Sequence, residues 1–219
     1  MRQLLVILFI IASLNSCSHY HDVDMSDHFD GNRFFDPEVQ YSNNFWSFLK
    51  WQITKKSTTW PNFVEVKKYD TPPKKVFGDK IRISNVGHVT FLIQTQGLNI
   101  LTDPVWSKRA SPISFVGPSR VIDPGIKFDD LPPIDVVWIS HNHYDHLDIN
   151  TIKKLWAKHK PRIITPLGND TIIHSYDKKI QVESYDWGDE IKISDNVKLH
   201  LTPMQHWSAR GVFDRNKAC

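Results

Sequence analysis

Three imidazoles and a carboxylate fall within six residues of this chain, at His141-Asn142-His143-Tyr144-Asp145-His146. Imidazole nitrogen and carboxylate oxygen are the donors that borderline divalent ions such as Zn²⁺ prefer. The run follows directly on the apolar stretch Val136-Val137-Trp138-Ile139-Ser140. A short apolar stretch of this kind reads as a buried strand, and donors at a strand end stand on a rigid support. The spacing therefore predicts a metal centre built around His141, His143, Asp145 and His146.

The elements that must carry this cluster are legible from about Ile81 onward. Ile81 to Val86 alternates in hydropathy, and Val89–Thr95 and Leu98–Thr102 read as strands joined at Gln96-Gly97. A long loop from Asp103 to Leu131, dense in Pro and Gly, separates them from the strand Asp135–Ser140. Loops of that length inside a domain are usually functional. Beyond the cluster, Asp148 or Asn150 can cap a helix running to about His159. A strand at Arg162–Thr165, a helix over Gly168–Tyr176, and strands at Ile180–Ser184, Glu190–Ser194 and Val197–Thr202 follow, the last two joined at Asp195-Asn196. Strand pairs followed by mixed units imply a layered α/β fold.

Lys+Arg 27 against Asp+Glu 24 gives a net charge of +3. That balance is too mild, without a basic stripe, to argue for a nucleic-acid partner. At the N-terminus, Arg2 precedes the apolar run Leu4–Ala12, which has the length of an export-signal core rather than a membrane span. Residues 1–16 read as a signal segment. Leu14-Asn15-Ser16-Cys17 resembles the lipobox of bacterial lipoproteins, which makes Cys17 the expected lipidation site; the alternative is a cleaved signal with an incidental cysteine. Acyl chains on Cys17 would place an exported protein on the membrane, on its periplasmic or outer-membrane face. Residues 17–33 read as a polar tether, 34–80 as an aromatic extension, and 81–219 as the domain. Within the extension, Phe45–Trp51 is a short amphipathic helix that can pack on the domain or dip into an interface.

A longer string of motifs resembles a known family. Thr102-Asp103-Pro104-Val105-Trp106, Arg109-Ala110-Ser111-Pro112, Gly117-Pro118-Ser119-Arg120, Leu131-Pro132-Pro133-Ile134-Asp135, the histidine cluster, Thr202–Arg210 and Phe213-Asp214-Arg215-Asn216 all take part, over about Pro61 to Lys217. Together they resemble the metallo-β-lactamase fold superfamily, and within it the N-acylphosphatidylethanolamine-hydrolysing phospholipase D group and its bacterial relatives. The resemblance implies an αββα sandwich and a two-zinc hydrolase acting on a phospholipid or similar amphiphile. It assigns His141, His143 and His206 to a first ion, and Asp145 and His146 to a second. Asp145 would also orient the nucleophile, and Asp103 would support the ligands by hydrogen bonding, although Asp103-Pro104 can equally be a plain turn. His88 matches a family position that lines the substrate pocket, or is a packed strand-end histidine.

The likeness is incomplete. The family's bridging aspartate, in a Gly-Asp-Thr-like motif, and a later histidine have no counterpart after His206. The sandwich is thus expected to be incomplete in its second half, to hold one zinc or fewer firmly, and to be unstable or barely active as written. Two further readings stay open: a lactone or ester hydrolase with the same core, and a non-catalytic lipoprotein remnant. Oligomeric state is left open.

Overall fold

Two registers of apolar residues in the central strands decide how the layers stack. In the computed structural model, which describes residues 26–39, 45–56, 58–211 and 213–219, the strands β1 (Ile81–Gly87), β2 (Thr90–Thr95), β3 (Leu98–Thr102), β4 (Val136–Trp138), β5 (Arg162–Pro166) and β6 (Glu183–Tyr185) form one sheet in that order. The first three pair antiparallel and the rest parallel. Successive side chains of a strand point to opposite faces. Leu101, Val137 and Ile163 accordingly enter one core, while Ile100, Val136 and Ile164 enter another. A strand apolar on both faces is what a parallel sheet covered on both sides requires.

The first core is closed by the helices α2 (Ile149–His159) and α3 (Asn169–Tyr176), which bury Ile149, Ile152, Leu155, Ile172 and Ile173. The second is closed by the hairpin β7 (Glu190–Lys192) and β8 (Lys198–His200) through Ile191 and Leu199. The chain is therefore an α/β structure with helices on one face of a mixed sheet and a β-hairpin on the other. A second helical layer is not found among the described residues. The hairpin turn at Asp195-Asn196 and the helix start at Asp148 lie where the residue pattern places them.

One expectation for the N-terminal part is corrected. Residues 26–33 do not form a free tether: His28 is 2% exposed and stacks on Trp187 with ring centroids 4.1 Å apart. Phe29 bridges Phe34, and the Phe34 amide donates to the Asn216 carbonyl at 2.7 Å. Burying Phe34 and His28 offsets the cost of ordering this otherwise polar segment. The expected helix forms as α1 (Phe45–Thr54), with Trp46, Leu49, Trp51 and Ile53 exposed. The expected signal segment, Cys17 and the remaining tether lie outside the described residues. No helix among the described residues is long and apolar enough to cross a membrane.

Asp148 joins the long loop to the helical layer. Its carboxylate accepts from the Asn150 and Thr151 amides, capping α2, and also from the Trp106 and Ser107 amides and the Ser107 and Thr151 hydroxyls. A cap of this type is worth about 1 kcal/mol, and hydrogen bonds to a buried charge more. Asp148→Ala should therefore lower unfolding free energy by about 3 kcal/mol in urea melts; a loss of only a few tenths would show that the loop is held by other contacts.

Candidate metal centre

Two strand ends and one hairpin turn converge on the same edge of the sheet. Strands β3 and β4 run parallel, so Asp103 and Ser140-His141 leave the sheet side by side. Strand β2 runs antiparallel to β3, which returns the β1–β2 turn, with His88, to that edge. The Thr90 hydroxyl donates to the Asp103 carbonyl at 2.7 Å and ties the two together. Functional groups in open α/β sheets gather at the carboxyl ends of parallel strands for this topological reason.

Asp103 sits at φ +35°, a left-handed conformation uncommon outside glycine. The distortion turns its carboxylate across to β4. There Oδ1 accepts from the Ser140 amide at 2.6 Å, and Oδ2 from the Ser140 hydroxyl at 2.7 Å and from His146 Nδ1 at 2.9 Å. With its proton given to Asp103, the Ser140 oxygen accepts from His141 Nδ1 at 2.9 Å. Both imidazoles thus carry their proton on Nδ1 and turn the Nε2 lone pair outward. Orienting a donor histidine through its other nitrogen is the recurrent arrangement in metal sites.

The potential donor atoms form two groups. His141 Nε2 lies 2.9 Å from His143 Nδ1, and His206 Nε2 lies 3.2 Å from the same atom. Tetrahedral donors at about 2.0–2.1 Å from an ion sit roughly 3.3 Å from one another, so the three nitrogens fit a single cation. In the second group, His88 Nε2 and His146 Nε2 face Asp145 Oδ2 at 2.9 Å and 3.8 Å. The donor atoms within each group all lie within 4.8 Å of one another. The sequence left only Asp145 and His146 for a second ion; the turn supplies His88 as a third donor. The Gly87-His88 pair, at φ +138° and +54°, is the local signal of that turn.

Electrostatics favours neutral imidazoles at His141, His143 and His206. Burial, followed by the neighbouring His146, His143 and His206, pushes His141 down to about 3 from 6.5. His143 and His206 are lowered chiefly by burial. Burial alone would raise the Asp145 carboxyl, but His146 and the His88 hydrogen bond outweigh it and hold Asp145 ionised. Neutral imidazoles in the first group and an ionised carboxylate in the second are protonation states that ligation requires.

His206 arrives on a loop rather than a strand, and Arg210 fixes that loop. The Arg210 guanidinium donates to the Asn142 and Leu147 carbonyls at 2.8 Å and 2.9 Å and lies 3.9 Å over the Tyr144 ring. The Tyr144 hydroxyl donates back to the Arg210 carbonyl. Asp214 accepts from the Arg210 and Gly211 amides, which makes it a turn former and not a further ligand. Trp207 packs edge-on to His143 at 4.4 Å. Two further histidines stay apart from the centre: His174 faces the Ile180 carbonyl, and His200 pairs with Glu190.

Beside the first group opens a cavity of about 920 Å³. Its wall combines Ser140, His141 and His206 with apolar Phe35, Met204 and Trp207.

The description "Beta-lactamase superfamily domain" matches residues 98–219. Curated relatives include an uncharacterized protein of Mycobacterium tuberculosis, 36% identical over 132 residues, covering 60% of this chain and 35% of that protein. The N-acyl-phosphatidylethanolamine-hydrolyzing phospholipase D 1 of Caenorhabditis elegans is 36% identical over 140 residues, covering 60% and 39%. The chain therefore spans little more than a third of the length of these relatives. Among solved structures, a metallo hydrolase from Ignicoccus hospitalis aligns at 22% identity with a TM-score of 0.42, over 60% of this chain and 52% of that one. A match over more than half of the chain, on a sheet whose edge gathers two groups of imidazole and carboxylate donors, places this protein in the metallo-β-lactamase superfamily.

Proposed function

We propose that this site hydrolyses a phosphodiester of an N-acylated ethanolamine phospholipid or a similar amphiphile, using zinc. The observation that carries the reading is the pairing of two donor groups with a largely apolar cavity at one sheet edge. His141 Nε2, His143 Nδ1 and His206 Nε2 would hold one ion, and His88, Asp145 and His146 a second. Such ions, when bound, would lower the pKa of water and stabilise charge developing on the oxygens of the attacked phosphorus. In the overall reaction the water oxygen joins phosphorus, the bond from phosphorus to the leaving alcohol oxygen breaks, and that oxygen takes up a proton.

The chain's own residues supply position and polarity. Asp145 is an acceptor that stays ionised, so it orients a water proton better than it removes one. Asp103 holds His146 directly and His141 through Ser140. Phe35, Met204 and Trp207 offer an apolar wall to acyl chains. Attachment to a membrane through Cys17 would bring the site to such a substrate; export and lipidation remain part of the proposal.

Three arms test the reaction: N-acyl phosphatidylethanolamine in mixed micelles, a simple lactone, and an aryl ester, each with the zinc-loaded chain. Zinc-dependent release of phosphatidic acid, exceeding lactone and ester turnover, is expected. Turnover of the lactone or ester alone would move the site to carboxylic ester chemistry, and a folded, zinc-loaded chain inert in all three arms would contradict hydrolysis.

Two predictions follow from the supports of the donors. Asp103→Asn should leave the fold in place and weaken zinc binding by about 10–100-fold in competition with a chromophoric chelator; unchanged affinity would remove Asp103 from the site. In metal-free protein, the folded value for His141 lies near 3 and the ordinary one at 6.5. Between those values the unfolded chain binds a proton that the folded chain refuses, so this stability is intact above the window and lost as pH falls through it. Urea midpoints of chelator-treated protein should drop between about pH 7 and about pH 4, and less steeply in His141→Gln. An identical slope in the variant would contradict the assignment.

A further inference from the structure

We propose that His28, Asp186 and Cys219 form a separate binding site for a thiophilic divalent cation of the zinc type, which fastens the N-terminal segment to the domain. His28 Nε2 lies 3.2 Å from Asp186 Oδ1 and 3.6 Å from Cys219 Sγ. All three donor atoms lie within 4.8 Å of one another. A tetrahedral ion with sulfur at about 2.3 Å and nitrogen or oxygen at about 2.0–2.1 Å separates sulfur from nitrogen by roughly 3.6 Å and nitrogen from oxygen by roughly 3.3 Å. The observed spacings match both edges.

The orientation of His28 provides a second, independent argument. Its Nδ1 faces Asp27 Oδ1 at 3.0 Å and Ser26 Oγ at 2.9 Å, so that nitrogen has an acceptor for its proton. In the tautomer with that proton on Nδ1, the other nitrogen points its lone pair at a carboxylate oxygen, inside a site where the ring is 2% exposed and stacked on Trp187. In that tautomer two electron-rich atoms face one space, which a proton or a metal cation can occupy. A proton would satisfy the imidazole and Asp186, but it gives the sulfur no role. A thiophilic ion uses all three donors. The outer carboxylate on Nδ1 is the same arrangement that orients metal-bound imidazoles elsewhere.

The donors come from three distant places. His28 belongs to the segment before Phe34, Asp186 follows β6, and Cys219 is held by its amide on the Leu167 carbonyl and by Asn169 on its own carbonyl. Cys219 and Trp187 also line the cavity beside the histidine centre. An ion at His28 would therefore fix Phe34 and Phe35, which wall that cavity. The two centres differ in one spectroscopic respect: the histidine and Asp145 groups contain no sulfur.

Cobalt(II) loading of the full chain tests this without reference to activity. Coordinated thiolate gives an intense sulfur-to-cobalt absorption in the near ultraviolet, whereas nitrogen and oxygen donors give only weak visible bands. The wild-type chain should show the sulfur band. It should survive Cys17→Ser and be lost in Cys219→Ser and His28→Gln, each losing one bound ion per chain. His143→Ala should keep the band while losing an ion at the other centre, so failure here is distinguishable from failure of the hydrolase reading. A folded, cobalt-loaded wild-type chain with no sulfur band, or a band that vanishes with Cys17→Ser alone, would overturn the proposal.

Discussion

One carboxylate sets the direction of two imidazoles. Asp103 accepts from His146 Nδ1 and from the Ser140 hydroxyl, whose oxygen in turn accepts from His141 Nδ1. Without that chain of hydrogen bonds each ring could carry its proton on either nitrogen, and neither Nε2 would be held toward its own donor group. The side chain reaches across because β3 and β4 pair in parallel and the Asp103 backbone takes φ +35°. Local strain of this kind costs of order 1–3 kcal/mol and persists only where surrounding contacts fix it. Here Thr90, Ser140 and the sheet register do so.

The rest of the molecule can be understood as support for that edge. Two alternating apolar registers in β3, β4 and β5 let helices and a hairpin cover both faces, leaving the strand ends as the place where polar groups collect. Asp148 pins the long loop onto the first turn of α2, beyond the cluster. Arg210 pins the His206 loop onto the backbone of the cluster itself. Each anchor is a charged side chain satisfied mainly by backbone groups, which suits segments that have no sheet ladder of their own.

How much of this was legible depended on the range of the contact. The cluster at 141–146, the strand before it, the Asp148 cap and the β7–β8 turn are local patterns, and residue order alone places them. The pairing of His206 with His141 and His143 needed the motif resemblance, because nothing local distinguishes His206 from His200. His88 was left between pocket and packing, since its approach to Asp145 depends on β1, β2 and β3 stacking in register. Arg210 and the burial of His28 carried no sequence signal that composition or period could expose. The polar run around His28 looked like a spacer, yet Trp187 and Cys219, more than 150 residues away in sequence, give it a partner surface.

The central claim is that His141, His143 and His206 share one ion. Anomalous diffraction at the zinc edge, from crystals of the zinc-loaded chain, addresses it directly. A peak about 2.0–2.1 Å from His141 Nε2, His143 Nδ1 and His206 Nε2 is predicted. Zinc-loaded crystals with no peak there, or with the His206 ring turned away from the other two, would contradict it.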